Sequence, residues 1–177
     1  MKSKILSISA ISAAFSAILL TVGAYVSMAD LFCLVMASAC VMLPLYYHSY
    51  KASFLAFLAG GVIAFIFSGF NLTAIVVPAY LLFFGSFPLV KCYSEEKRIN
   101  KWVAYIVGLI WCVIAVYGMY FFYVQITGLK FTHLPQFVND YMLVFVGIVG
   151  CVFYVIYERF VVSLRKIIDI YLNKIIK

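Results

Sequence analysis

Apolar residues run almost unbroken through six stretches of this 177-residue chain, at 5–28, 31–47, 52–67, 72–90, 102–123 and 141–161, with short polar or basic links between them. A membrane-crossing helix needs roughly 20 apolar residues, within a range of about 17–25. Continuous runs of that kind lack the period of two that membrane barrel strands require. Lipid cannot satisfy backbone N–H and C=O groups, so helices are the remaining way to cross it. The pattern predicts an all-α integral membrane bundle of six transmembrane helices. The second and third runs are the shortest, and the links at Ala29-Asp30 and Gly69-Phe70-Asn71 are brief. Tight antiparallel hairpins follow, with Gly60, Gly61 and Gly69 expected to permit close backbone approach.

Composition agrees with a lipid solvent: 67% of residues are hydrophobic, 11% are charged, and the mean hydropathy is +1.14. A soluble domain carries far more charge on its surface. The net charge of +7 sits in the links and not along a stripe with interleaved aromatics, so nucleic acid is not an expected partner. Its placement reports orientation. Lys2, Lys4, Lys51, Lys91, Lys97, Arg98, Lys101, Arg159, Arg165, Lys166, Lys174 and Lys177 flank one side, 12 of the 13 basic residues, and Lys130 alone falls on the other. By the positive-inside rule both ends are cytoplasmic, in a multi-pass protein of the cell membrane, with a bacterial origin expected. Lys2 and Lys4 before an apolar run, with Ser27-Met28-Ala29 after it, also have the outline of a secretory signal. The run of 24 residues is long for that purpose, and a retained span is expected.

The chain divides into a six-span domain, 1–162, and a basic segment, 163–177. In the latter, Leu164, Ile167, Ile168, Tyr171, Leu172 and Ile175 recur at helical spacing opposite Arg165, Lys166, Asp169, Asn173 and Lys174. This predicts an amphipathic cytoplasmic helix lying on the bilayer surface or docked on a partner.

Chemistry for catalysis is sparse. Within the six runs the charged residues are the adjacent Glu158 and Arg159, which gives no basis for a proton relay or charged ion pathway. The two histidines, His48 and His133, stand near a span end and in a link, with no His-Glu-x-x-His and no facing carboxylates. No phosphate-binding loop with its lysine occurs, so any uphill transport needs a separate ATPase. The five cysteines, Cys33, Cys40, Cys92, Cys112 and Cys151, form no Cys-x-x-Cys pair and are read as packing residues. No enzyme activity, cofactor or metal is expected. Asn71-Leu72-Thr73 matches a glycosylation sequon but abuts a span, and is read as coincidence.

The outward half carries groups suited to a small, uncharged or weakly charged organic solute. The fifth run places Tyr117, Tyr120 and Tyr123 near its outer end, with Trp111 deeper and Gln125 just beyond. Such aromatics offer stacking faces and hydrogen-bonding tips, although an interfacial aromatic belt uses the same residues. The fourth run adds Asn71, Thr73 and Tyr80 around Pro78, which is expected to free a carbonyl. Asn71, Tyr80, Trp111, Tyr117, Tyr120 and Gln125 are the candidate solute-binding residues, and the link 124–139, with Lys130, His133 and Pro135, is the candidate lid. In the first run Ala10-x-x-x-Ala14 and Ala13-x-x-x-Ala17, interleaved with Ser9, Ser12 and Ser16, make a flat strip for close helix packing, within the chain or against another subunit.

A small six-span chain with cytoplasmic ends, these alanine pairs in span one and no nucleotide site resembles the substrate-binding S component of an energy-coupling factor (ECF) vitamin transporter. The likeness covers the whole chain in topology. It implies uptake of a vitamin or related micronutrient, with Ala10, Ala13, Ala14 and Ala17 touching a coupling membrane subunit that works with two ATPases. The link after span one is shorter than that family often has. The alternative reading is a non-enzymatic membrane scaffold or assembly protein, using the basic loop 91–101 and the amphipathic tail.

Overall fold

The computed structural model describes residues 2–26, 28–69, 75–127 and 141–176, without the side chains of 2, 125–127, 169 and 171–176. Those residues are helical nearly throughout: α1 (Lys2–Tyr25), α2 (Asp30–Leu45), α3 (Tyr50–Phe67), α4 (Val76–Ala79), a π-helical turn (Tyr80–Phe84), α5 (Ser86–Glu96), α6 (Lys101–Thr127) and α7 (Met142–Ile176). Five continuous helical segments are long and apolar enough to cross a membrane, the one from Val76 to Glu96 including α4, the π-turn and α5. The sixth apolar helix, α2, has 16 residues, roughly 24 Å of helix against a hydrocarbon core of about 30 Å. It tolerates this shortness because it is enclosed: α1, α3, α4, the π-turn, α5 and α7 all pack on it.

Successive helices alternate in direction, which sorts the charges. At one end Tyr25 donates from its hydroxyl to the carbonyl of Phe67, 3.1 Å away. At the other, Arg165 pairs with Glu95, and His48 Nδ1 lies 3.8 Å from Glu96 Oε1. Lys51, Lys97, Arg98, Lys101 and Lys166 share this second, basic end.

α1, α2 and α3 form the tightest unit. Their seam is built of small residues, with Ser12, Ser16, Ala13, Ala17, Ala37 and Ser53 all buried. A Cβ on Gly60 of α3 would stand 3.0 Å from the Ser16 Cβ and 3.3 Å from the Ala13 carbonyl oxygen, so this glycine does permit the close approach expected of it. Gly69 serves otherwise. Nothing lies within 4 Å of where its Cβ would be, and its φ of +68° shows that it closes α3 in the left-handed region that disfavours a side chain.

Pro44 explains a hydrogen bond across this seam. Proline lacks the N–H that would close on the carbonyl four residues back, here that of Cys40. The Ser12 hydroxyl of α1 donates to that carbonyl at 2.5 Å. Ser53 of α3 donates to the neighbouring Val41 carbonyl, also at 2.5 Å. In lipid no water can take these carbonyls, so serines on two adjoining helices complete the end of α2.

α7 runs as one helix of 35 residues across the 162/163 boundary. Leu164 and Ile168 still pack against the core cluster beyond that point. The composition changes there while the backbone continues.

Candidate functional site

Among the described residues, the fourth span is the one whose continuous helix is widened by a π-turn. Pro78 does not cause this: it sits in the first turn of α4, where its N–H would have had no intrahelical partner. The widening comes after it, where the Gly85 N–H reaches back five residues to the Tyr80 carbonyl at 2.8 Å. A π-turn widens the helix and releases carbonyls sideways, and such turns concentrate at functional places. Here the released groups are taken by neighbouring helices. Trp111 Nε1 donates to the Leu82 carbonyl at 2.9 Å, and the Tyr157 hydroxyl to the Phe84 carbonyl at 3.1 Å.

Aromatic packing seats α7 on the same turn. The Tyr157 ring centroid lies 5.4 Å from Phe83, 5.1 Å from Phe84 and 5.5 Å from Phe87, and Tyr154 lies 5.7 Å from Phe87. Each pair of this geometry contributes about 0.5–1.5 kcal/mol beyond its burial.

At the head of the π-turn Tyr80 is fully buried, its ring 5.4 Å from Phe57. Its hydroxyl lies toward Ser16 of α1, the polar side chain facing it, without closing a hydrogen bond of ordinary geometry to it or to any other described residue. Ser16 directs its own hydrogen to the Ser12 carbonyl at 2.8 Å. A buried hydroxyl without a partner costs about 1–3 kcal/mol, which makes it the feature of the bundle interior most in need of an explanation.

The expected solute-binding residues divide into three groups. Tyr80 and Trp111 converge on the π-turn from opposite sides, Tyr80 from within the core and Trp111, half-exposed, from α6. Tyr117 and Tyr120 are half-buried higher on α6, and the Tyr117 hydroxyl is committed to the Leu143 carbonyl at 2.8 Å, a tie between α6 and α7. Asn71, Thr73, the Gln125 side chain and the link 128–140 with Lys130, His133 and Pro135 lie outside the described residues. The four alanines of α1 also divide. Ala13 and Ala17 are buried against the chain itself, whereas Ala10 and Ala14 are exposed on the outer face beside Leu6, Ile11, Phe15 and Ile18.

Two recesses lie toward the basic half. One, of about 190 Å³, is lined by Met42, Leu45, Tyr50, Cys92, Arg165 and Ile168 among others at the basic end. The other, of about 300 Å³, is an apolar groove between α5 and α6. Behind the groove, Lys91 of α5 pairs with Glu158 of α7 at 2.5 Å, both side chains largely buried. Glu158 thus answers a lysine 67 residues earlier in the chain and not the adjacent Arg159. A lysine closing one apolar run and a glutamate inside another were the available sequence signal for this pair. The Ser12 donor to α2 had a fainter one, a proline within an apolar helix that obliges some neighbour to supply a hydroxyl. None of the five cysteines forms a disulfide, and Cys33, Cys92 and Cys112 are buried.

No protein-family model, curated protein or solved structure matches the chain.

Proposed function

We propose that the protein is a non-enzymatic, membrane-embedded subunit that binds a small, largely uncharged organic solute at the Tyr80 π-turn, as part of a micronutrient uptake transporter energised by separate ATPase subunits. The observation that carries this reading is the unpartnered, fully buried Tyr80 hydroxyl at the one π-turn among the described residues. A solute acceptor reaching the hydroxyl beside Ser16 would satisfy it, and the π-turn supplies a backbone that can rearrange as it does. With the basic end cytoplasmic, as the positive-inside rule has it, the Tyr25–Phe67 end faces outward and the plasma membrane of a bacterium is the fitting setting. The outer face of α1, with Ala10 and Ala14 exposed, offers a coupling subunit of the ECF kind a surface for close helix approach. The four alanines then share the work: Ala13 and Ala17 hold α1 on its own bundle, and Ala10 and Ala14 meet the partner.

Purification of the tagged protein from its native membrane in mild detergent tests this, with co-purifying proteins and extracted small molecules identified by mass spectrometry. Two ATPases, a coupling membrane protein and a retained organic solute are expected. Tyr80→Phe should abolish solute retention while leaving thermal stability unchanged or raised, because it removes an unsatisfied group. Recovery of envelope proteins with no ATPase and no solute would favour a membrane scaffold, with the basic loop and the tail of α7 as its partner-binding parts.

A further inference from the structure

The groove between α5 and α6 is almost wholly apolar. Phe87 and Gly108 line it, Ser86 and Trp111 stand toward its deep end, and Ile99 and Val103 lie at its mouth. From Lys101 to Trp111 the helix rises roughly 15 Å, half of a hydrocarbon core of about 30 Å, so the groove spans one leaflet on the basic side. Tyr154 requires the glycine at 108, since a Cβ there would stand 2.4 Å from its hydroxyl oxygen, and the missing side chain also leaves the groove open.

Charge at the mouth selects the headgroup. Lys97, Arg98 and Lys101 are all exposed in the link between the two helices, and neither Arg98 nor Lys101 forms an ion pair among the described residues. Trp102, 75% exposed, marks the interfacial level. The backbone holds one of these cations where glycine would be easier: Arg98 has φ +53° and closes α5 with bonds from its N–H to the Glu95 carbonyl and from Ile99 N–H to the Ser94 carbonyl. Lys91 lines the groove too, but its ammonium is neutralised by Glu158, so the free positive charge stands only at the rim.

We propose that this groove holds one acyl chain of an anionic phospholipid from the leaflet on the basic side, its phosphate held by Lys97, Arg98 and Lys101. The juxtaposition of an apolar, leaflet-deep groove with an exposed basic rim fits that molecule and disfavours a zwitterionic lipid of the same chains.

The full-length protein, delipidated in mild detergent and titrated with phosphatidylglycerol or with phosphatidylcholine of identical chains, is read by native mass spectrometry. One phosphatidylglycerol should be retained about tenfold more tightly than phosphatidylcholine. The K97Q/R98Q/K101Q variant should lose that preference, and Ala104→Trp, which fills the groove, should lose the retained lipid. Val107→Trp, at an exposed position on the same wall, serves equally if Ala104→Trp does not fold. Arg98→Gly relieves the left-handed backbone while removing a charge, and should lower the preference without lowering the melting temperature. Equal retention of the two lipids, or undiminished retention by the groove-filling variants, overturns the proposal. A dimer dissociated by those same variants also overturns it, since the occupant is then a second copy of the chain.

Discussion

α1–α3 and α6–α7 join helices in lipid by different means. In the first, small residues bring backbones together and serine hydroxyls cross the short distance to carbonyls of α2, as Ser12 does to Cys40 and Ser53 to Val41. In the second, tyrosines make most of the crossings: Tyr154 donates to the Tyr105 carbonyl at 3.0 Å and Tyr117 to the Leu143 carbonyl at 2.8 Å, with the Cys112 thiol lying 3.8 Å from the Gly150 carbonyl between them. Glycines accommodate the long donors, since a Cβ on Gly147 would lie 2.7 Å from the Tyr117 hydroxyl oxygen. The difference shows in burial: α1 buries Ser12, Ala13, Ser16, Ala17 and Leu20, whereas among its described side chains α6 buries Cys112 and Ala115. Where water cannot compete, either a short serine donor or a long tyrosine donor can hold a seam. The close seam tolerates less change, because displacing it moves backbone and not only a side-chain tip.

The contrast breaks most severely at Gly60. Gly60→Leu forces side-chain volume against the Ala13 backbone and should leave little folded protein, a destabilisation of about 3 kcal/mol or more, visible as early aggregation in detergent. Next is the ion pair that pins α7 to α5. Glu158→Leu leaves Lys91 buried without its partner and should cost about 3 kcal/mol, whereas adding Lys91→Met should recover most of that loss. If the double variant unfolds as early as the single one, the pair is not what joins the two helices.

A smaller effect isolates the reason for the serine bond. Ser12→Ala should cost about 1 kcal/mol in the native background and less with Pro44→Ala, because the restored N–H can then reach the Cys40 carbonyl. Additive losses would show that the proline and the serine act independently. The least effect belongs to the open seam: Tyr117→Phe should cost about 0.6 kcal/mol in reversible unfolding in detergent. A loss as large as that of Ser12→Ala would erase the distinction between the two seams.

The helical class and the apolar runs were legible because burial in lipid demands long uninterrupted apolar stretches, a property of local sequence. The end of α5 ran past the expected limit at residue 90 to Glu96, since a helix continues through charges once they reach the headgroup region or find partners. The candidate site was legible in part. Tyr80 and Trp111 meet at one turn, but Tyr117 is spent on a helix seam, and nothing in the spacing of tyrosines distinguishes a hydroxyl that ties helices from one left without a partner.

By itself, then, the sequence determined that the chain is an apolar helical bundle with its basic residues gathered toward one end, because hydropathy and charge act residue by residue. Tertiary structure alone decided that Gly69 serves a turn and Gly60 a seam, that the fourth span widens at Tyr80 and not at Pro78, that Glu158 answers Lys91, and that Ala10 and Ala14 face away from Ala13 and Ala17. Each of these depends on which helix lies opposite, and in lipid that choice is made by shape and by the pairing of a few polar groups distant in sequence, which no local pattern records.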